Sequence, residues 1–124
     1  MSEIQGAYNG AFNGVPPQSI EAERSVLGAL LQDSRAVSVA VEMLREDDFY
    51  TPAHQAIYAA IRALAQSGVA VDLVTVDAEL SRRGTLAGIG GSSYLVELLQ
   101  FVPTTANVQY YISIVLEKSP LRQL

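Results

Sequence analysis

One histidine, His54, two adjacent aspartates, Asp47 and Asp48, and the run Gly88-Ile89-Gly90-Gly91 are the residues of this chain whose types and spacing could do chemistry. A histidine near carboxylates can serve as a general base if a nucleophile stands beside it and a further group orients it. No candidate nucleophile stands out beside Asp47 and Asp48, and the chain has no cysteine. His54 therefore reads as a satisfied or exposed helix histidine. Two sequential carboxylates without a histidine or third ligand are too few for a metal site. Glu46-Asp47-Asp48 reads instead as the cap of a helical turn that delivers the aromatic pair Phe49 and Tyr50 to the core. A dinucleotide fingerprint needs a strand and then GxGxxG, and a P-loop needs Gly-Lys-Ser/Thr after its spacer. Gly88 to Gly91 meets neither pattern and reads as a turn into the next helix. The residues nominate no catalytic, cofactor or metal site.

The elements that would position these groups are helical. Residues 51–68, TPAHQAIYAAIRALAQSG, carry the clearest pattern in the chain. Thr51 suits an N-cap and Pro52 the first helical position, where a missing N–H costs no bond. Ala53, Ile57, Ala60, Ile61 and Leu64 recur at steps of three and four, and Gly68 suits a left-handed stop. The alanines keep this helix slim, so neighbours can approach closely. Upstream, Ser19 caps a helix from Ile20 to about Gln32, with Glu21 and Glu23 in its first turn favoured by the helix dipole. Val26, Leu27, Leu30 and Leu31 form its apolar face. Gly28 inside that helix costs about 1 kcal/mol against alanine, which a close helix crossing would explain. Asp33 or Ser34 caps the next helix, which runs to about Leu44 with Val37, Val41 and Leu44 inward. After a short extended Val69-Ala70-Val71, Asp72 or Thr75 starts a helix that Gly84 stops, and Leu86 to Gly91 reads as a loop.

The last third reads as a helical hairpin. Ser92 or Ser93 opens its first helix, with Tyr94, Leu95, Leu98, Leu99 and Val102 on the apolar side, and Pro103 ends it. Thr104 or Thr105 caps the second, Ala106 to Lys118, whose stripe is Val108, Ile112, Val115 and Leu116. Tyr110 and Ile114 lie round from that stripe at helical pitch. A hairpin with apolar residues on two sides wants a second partner, unless it is wholly buried in its own core. The residues nominated for a subunit interface are Tyr94, Leu98, Phe101, Val102, Tyr110, Tyr111 and Ile114. Ser119 and Pro120 then suit an N-cap and N1, so residues 121–124 would begin another helix, as in a fragment of something longer.

Composition bounds the rest. The 124 residues suffice for one domain with a real core, and 49% are apolar, which excludes a disordered chain. The net charge of −5 argues against a general nucleic-acid module, which needs clustered Lys and Arg. No apolar run approaches the roughly 18 residues of a membrane span. The N-terminus has Glu3 and no basic residue before Arg24, unlike a secretory signal, and a cytoplasmic setting fits. Residues 1–15 read as a flexible tail. They hold a small tandem repeat, Ala7-Tyr8-Asn9-Gly10 and Ala11-Phe12-Asn13-Gly14, and Pro16-Pro17 ends the tail. The fold class expected is all-α: a small helical bundle with a C-terminal helical hairpin over residues 16–118, six main helices in all.

An ordered set of motifs resembles the N-terminal domain of DnaB-family replicative DNA helicases. It opens with Pro16-Pro17-Gln18-Ser19-Ile20-Glu21-Ala22-Glu23-Arg24-Ser25-Val26-Leu27-Gly28. Asp47-Asp48-Phe49-Tyr50, His54, Ile57-Tyr58, Val71 to Val76, Leu80 to Gly84, Gly90-Gly91, Tyr94-Leu95 and Pro103 to Asn107 follow at the family's intervals. The resemblance spans Val15 to about Gln123. It implies a non-catalytic collar domain, in which hairpins pair two subunits and three such pairs form a collar above the motor ring. It also implies docking of a primase through the primase's C-terminal helical domain, and contact with a helicase loader. ATP, Mg²⁺ and DNA would belong to a RecA-like motor domain beyond residues 119–124, which would start the linker. The chain departs from the family at Ser119-Pro120, where one unbroken helix is usual. A free-standing helical adaptor that binds a helicase is the alternative, and a small hydrolase is disfavoured by the lack of a nucleophile–base pair.

Overall fold

The computed structural model describes residues 19–102 and 104–123. The expectations for the tail, for its repeat and for Pro103 as a helix stop lie outside those residues. Among the described residues seven α-helices follow in order: α1 Ile20–Leu30, α2 Ser34–Met43, α3 Pro52–Gln66, α4 Leu73–Arg83, α5 Leu86–Ile89, α6 Gly91–Phe101 and α7 Val108–Lys118. A 3₁₀ turn, Glu46–Asp48, precedes α3, and another, Pro120–Gln123, follows α7. No strand occurs among the described residues. The expected loop at Leu86 contains the four-residue α5, which buries Ile89.

Local chemistry sets most of the helix ends. The Ser19 hydroxyl accepts the Ala22 N–H at 3.2 Å, and Asp33 accepts the Arg35 N–H at 2.9 Å. Asp72 and Thr75 share one cap: the Asp72 carboxylate takes the Thr75 N–H, and the Thr75 hydroxyl takes the Asp72 N–H, each at 2.9 Å. Gly84 stops α4 at φ 75°, a left-handed conformation that a side chain would strain.

Helix α1 is the axis of the bundle. Val26, Leu27, Ala29 and Leu30 are fully buried, and α6, α7, α3 and α2 all pack on it. Gly28 marks a close crossing, because a Cβ there would collide with the Leu98 carbonyl oxygen. Helices α6 and α7 are consecutive and joined by a break, as in a hairpin, yet each packs chiefly on α1 rather than on the other. Two side chains hold that break. Gln32, just past the end of α1, donates to the Leu99 carbonyl at 2.6 Å and so satisfies an orphan acceptor in the last turn of α6. Thr105 donates to the Asp33 carboxylate at 3.0 Å.

The buried face of α3 is rotated from the expected stripe. His54, Ile57, Tyr58, Ala60 and Ile61 are buried, whereas Ala53 and Leu64 are half-buried. Tyr58 explains part of the rotation. Its hydroxyl donates to the carbonyls of Ala40 and Leu44, at 3.1 and 2.9 Å, and closes the end of α2. Burial pushes this phenol well above its ordinary pKa. Of the aromatic pair after the 3₁₀ turn, only Phe49 enters the core, against Tyr58 with ring centroids 5.1 Å apart; Tyr50 faces solvent.

Candidate association surface

Behind the surface lies a buried polar knot around the only histidine. His54 is 1% exposed and Glu23 2% exposed. The Glu23 carboxylate accepts the Tyr50 N–H at 2.6 Å and the Thr51 N–H at 3.4 Å. His54 Nδ1 meets the same carboxylate at 2.7 Å, which makes Nδ1 the proton-bearing nitrogen. Nε2 meets the Tyr94 hydroxyl at 2.6 Å, and the two rings lie nearly parallel, 9° apart. Thr51 makes no side-chain cap bond. A carboxylate from α1 instead takes the N–H groups of Tyr50 and Thr51 just ahead of α3, at the helix end where negative charge is favoured.

A carboxylate orienting a histidine is also half of a catalytic arrangement. Here the outer nitrogen is engaged by a phenol that belongs to the packing of α6, and the assembly joins α1, α3 and α6. Its chemistry is that of a clamp. A second buried link closes the C-terminal end. The Ser119 hydroxyl donates to Asp48 at 2.7 Å, while the other Asp48 oxygen accepts the Arg45 N–H at 2.7 Å. Asp48 thus caps its turn, as the sequence indicates, and also binds the last element. The Ser119 oxygen in turn accepts the Leu121 N–H at 3.1 Å, so the interruption at Ser119-Pro120 opens the final 3₁₀ turn.

The nominated interface residues fall into two groups. Leu98 and Val102 are buried in the chain's own core, facing α1 at Gly28. Tyr94 is half-buried, its hydroxyl committed to His54. Tyr111 and Ile114 are half-buried against the core. Phe101 is exposed, with the Arg24 guanidinium 5.3 Å from its ring centroid. Tyr110 is 64% exposed, its ring edge-on to Tyr111 at 5.8 Å. Of the nominated set, only Tyr110 and Phe101 are exposed, and Tyr94, Tyr111 and Ile114 are partly so.

Sequence reasoning missed Glu23 as a structural centre, although a signal was there. Glu23, Val26, Leu27 and Leu30 stand at i, i+3, i+4 and i+7, which puts the carboxylate on the apolar face of α1. His54, Ile57, Tyr58 and Ile61 repeat that spacing on α3. A titratable residue inside an apolar stripe has to find a partner.

A phosphate or metal role does not match the residues present. Gly90 and Gly91 take φ of 113° and 77°, and the Gly90 N–H is bonded to the Ala87 carbonyl. These glycines end α5 and start α6, and no lysine follows them closely. Among the described residues no group of three or more His, Asp or Glu side chains is placed to hold a metal ion. The residues do not fit ATP or Mg²⁺.

Seven α-helices organised on one central helix, with a buried polar clamp between α1, α3 and α6, define the class among the described residues: a small all-helical domain. The chain belongs to the DnaB-like helicase N-terminal domain family, whose model matches residues 15–117. It is 56% identical over 110 residues to the replicative DNA helicase DnaB of Geobacillus stearothermophilus, covering 89% of this chain and 24% of that protein. The replicative DNA helicase DnaC of Bacillus subtilis (strain 168) is 50% identical over 110 residues, with 89% and 24% covered. The DnaB of Mycobacterium leprae is 51% identical over 113 residues, with 91% and 19% covered. The crystal structure of the N-terminal domain of DnaB helicase from Mycobacterium tuberculosis superposes with a TM-score of 0.81 at 53% identity, over 84% of this chain and 74% of that one. The chain spans about a quarter of the length of the curated relatives it matches.

Proposed function

We propose that this chain acts as the amino-terminal scaffold of a replicative DNA helicase in the cytoplasm, without catalysis of its own. In this reading copies associate through the surface of residues 92–118, in pairs and then as three pairs in a collar. The collar receives the C-terminal helical domain of a primase and contacts a helicase loader. Nucleotide, Mg²⁺ and DNA are handled by a motor domain of the whole protein. Membership of the family supports the setting. The observation that carries the role is the two-sidedness of α7. Val108, Ile112 and Val115 are buried against the bundle, while Tyr110 on the same helix is 64% exposed. Interface energy concentrates in a few aromatic anchors, and Tyr110 is the one best placed to act as such.

Sedimentation across concentration tests self-association. The chain should gain mass with concentration, and Tyr110→Asp should raise the midpoint of that transition about tenfold while leaving helix content unchanged. An unchanged midpoint would remove Tyr110 from the interface. Ile114→Asp is the less selective probe, because Ile114 also packs on the core and its replacement would cost folding as well. An NMR titration with the C-terminal domain of the cognate primase tests the second partner; no shifts at high concentration would count against it.

A further inference from the structure

On α4 and α6, away from Tyr110, lies a second apolar surface. Leu73, Val74 and Asp77 of α4 stand at i, i+1 and i+4, and Ser92 and Val96 of α6 stand at i and i+4. Together these five line an open groove of about 230 Å³. Val74 is 75% exposed, the most exposed of the large apolar side chains described, and Val96 is also exposed. Ser92 donates to the Asp77 carboxylate and bridges the two helices across the groove. The volume is below that of a typical small-molecule site and suits one large apolar side chain.

Charge selects the occupant. No lysine or arginine lines the groove, and Asp72 immediately precedes Leu73 of its wall. Asp72 caps the first turn of α4 and offsets the positive end of that helix. Asp77 is in the groove wall itself. A second copy of a chain with net charge −5 brings like charge to an acidic rim. We infer that the groove between α4 and α6 docks a basic amphipathic helix of a different protein. One apolar side chain of that helix sits on Val74 and Val96, and Lys or Arg one turn away faces Asp77 and Asp72. This inference stands apart from the association surface of α7.

The test uses two synthetic helical peptides of about four turns. One presents leucines flanked by lysines; in the other every lysine is replaced by glutamate. Methyl NMR of the chain reads the site. The lysine peptide should shift the methyls of Leu73, Val74 and Val96, and the glutamate peptide should not. Val74→Ser should weaken the lysine peptide about tenfold. Raising salt from about 0.05 M to about 0.5 M should weaken it further, because the Debye length shortens. Val74 lies outside the core, so helix content should be unchanged in the variant. Shifts that fall elsewhere, equal binding of the glutamate peptide, or an unaffected Val74→Ser variant would each overturn the inference. So would concentration-dependent shifts of the same methyls without peptide, which would make a second copy the occupant.

Discussion

Two carboxylates in this molecule each hold more than one partner, two at Glu79 and three at Glu23, and they do so under opposite conditions. On the surface, Glu79 of α4 bonds Arg82 at 2.6 and 3.1 Å and Arg83 at 2.7 Å, three and four residues along the same helix. In the interior, Glu23 of α1 bonds His54, 31 residues away, and the backbone of Tyr50 and Thr51. The surface knot is made of neighbours that any helix would bring together, and water competes for its arginines, Arg82 most of all. The interior knot exists only if α1, the turn before α3 and α6 arrive together. Once there, its groups cannot return to water without unfolding. Similar chemistry is thus ornamental to stability at one site and a condition of the fold at the other.

The largest effect expected comes from opening the interior knot. Glu23→Ala leaves the His54 ring and two N–H groups without their acceptor, and should cost about 3–5 kcal/mol in urea unfolding. A loss below about 1 kcal/mol would show that water enters the site and that burial does not separate the two knots. Tyr94→Phe removes one hydroxyl and leaves Nε2 without its partner, close to the edge of the bundle. Its cost should be about 1 kcal/mol. A loss as large as that of Glu23→Ala would make the phenol, rather than the carboxylate, the centre of the clamp.

The surface knot should respond weakly. Glu79→Gln should lower the urea midpoint at neutral pH only slightly, and added salt should shrink that difference. Acid should bring out what the surface knot contributes. Hydrogen bonds from Arg82 and then Arg83 hold the Glu79 carboxyl at about 2, down from an ordinary 4.5. A depressed carboxyl contributes stability that is present above the ordinary value and is lost as pH falls through the depressed one. The Arg35 N–H and the Thr105 hydroxyl lower Asp33 in the same direction. Urea midpoints should therefore fall between about pH 4.5 and pH 2, and the fall should be shallower in Glu79→Gln. Identical profiles for the two proteins would remove Glu79 from the acid response.

Much of the helical framework is legible in the order of residues alone. Ser19, Asp33, the Asp72–Thr75 pair, Gly84 and Ser119 can be read as caps because each bonds within four residues or turns the chain at one φ. Gly28 announces a close crossing because a glycine inside an apolar helix asks for one. The Thr51 cap does not take the form the sequence indicates. A distant carboxylate instead holds the N–H groups of Tyr50 and Thr51, just ahead of the helix, and nothing within four residues of Thr51 points to it.

The division follows from range. Helical hydrogen bonds and caps act over three or four residues, so composition and periodicity by themselves determined an all-helical chain and which stripe of each helix is apolar. They also determined the lack of a phosphate loop. A stripe says which side turns inward, not what it meets. Tertiary structure alone decided that α6 and α7 pack on α1, that Leu98 and Val102 belong to the core, and that Tyr110 is left outside. It alone decided that Glu23, His54 and Tyr94 form one clamp, because those contacts span 31 and 40 residues and form only when three helices close on one another.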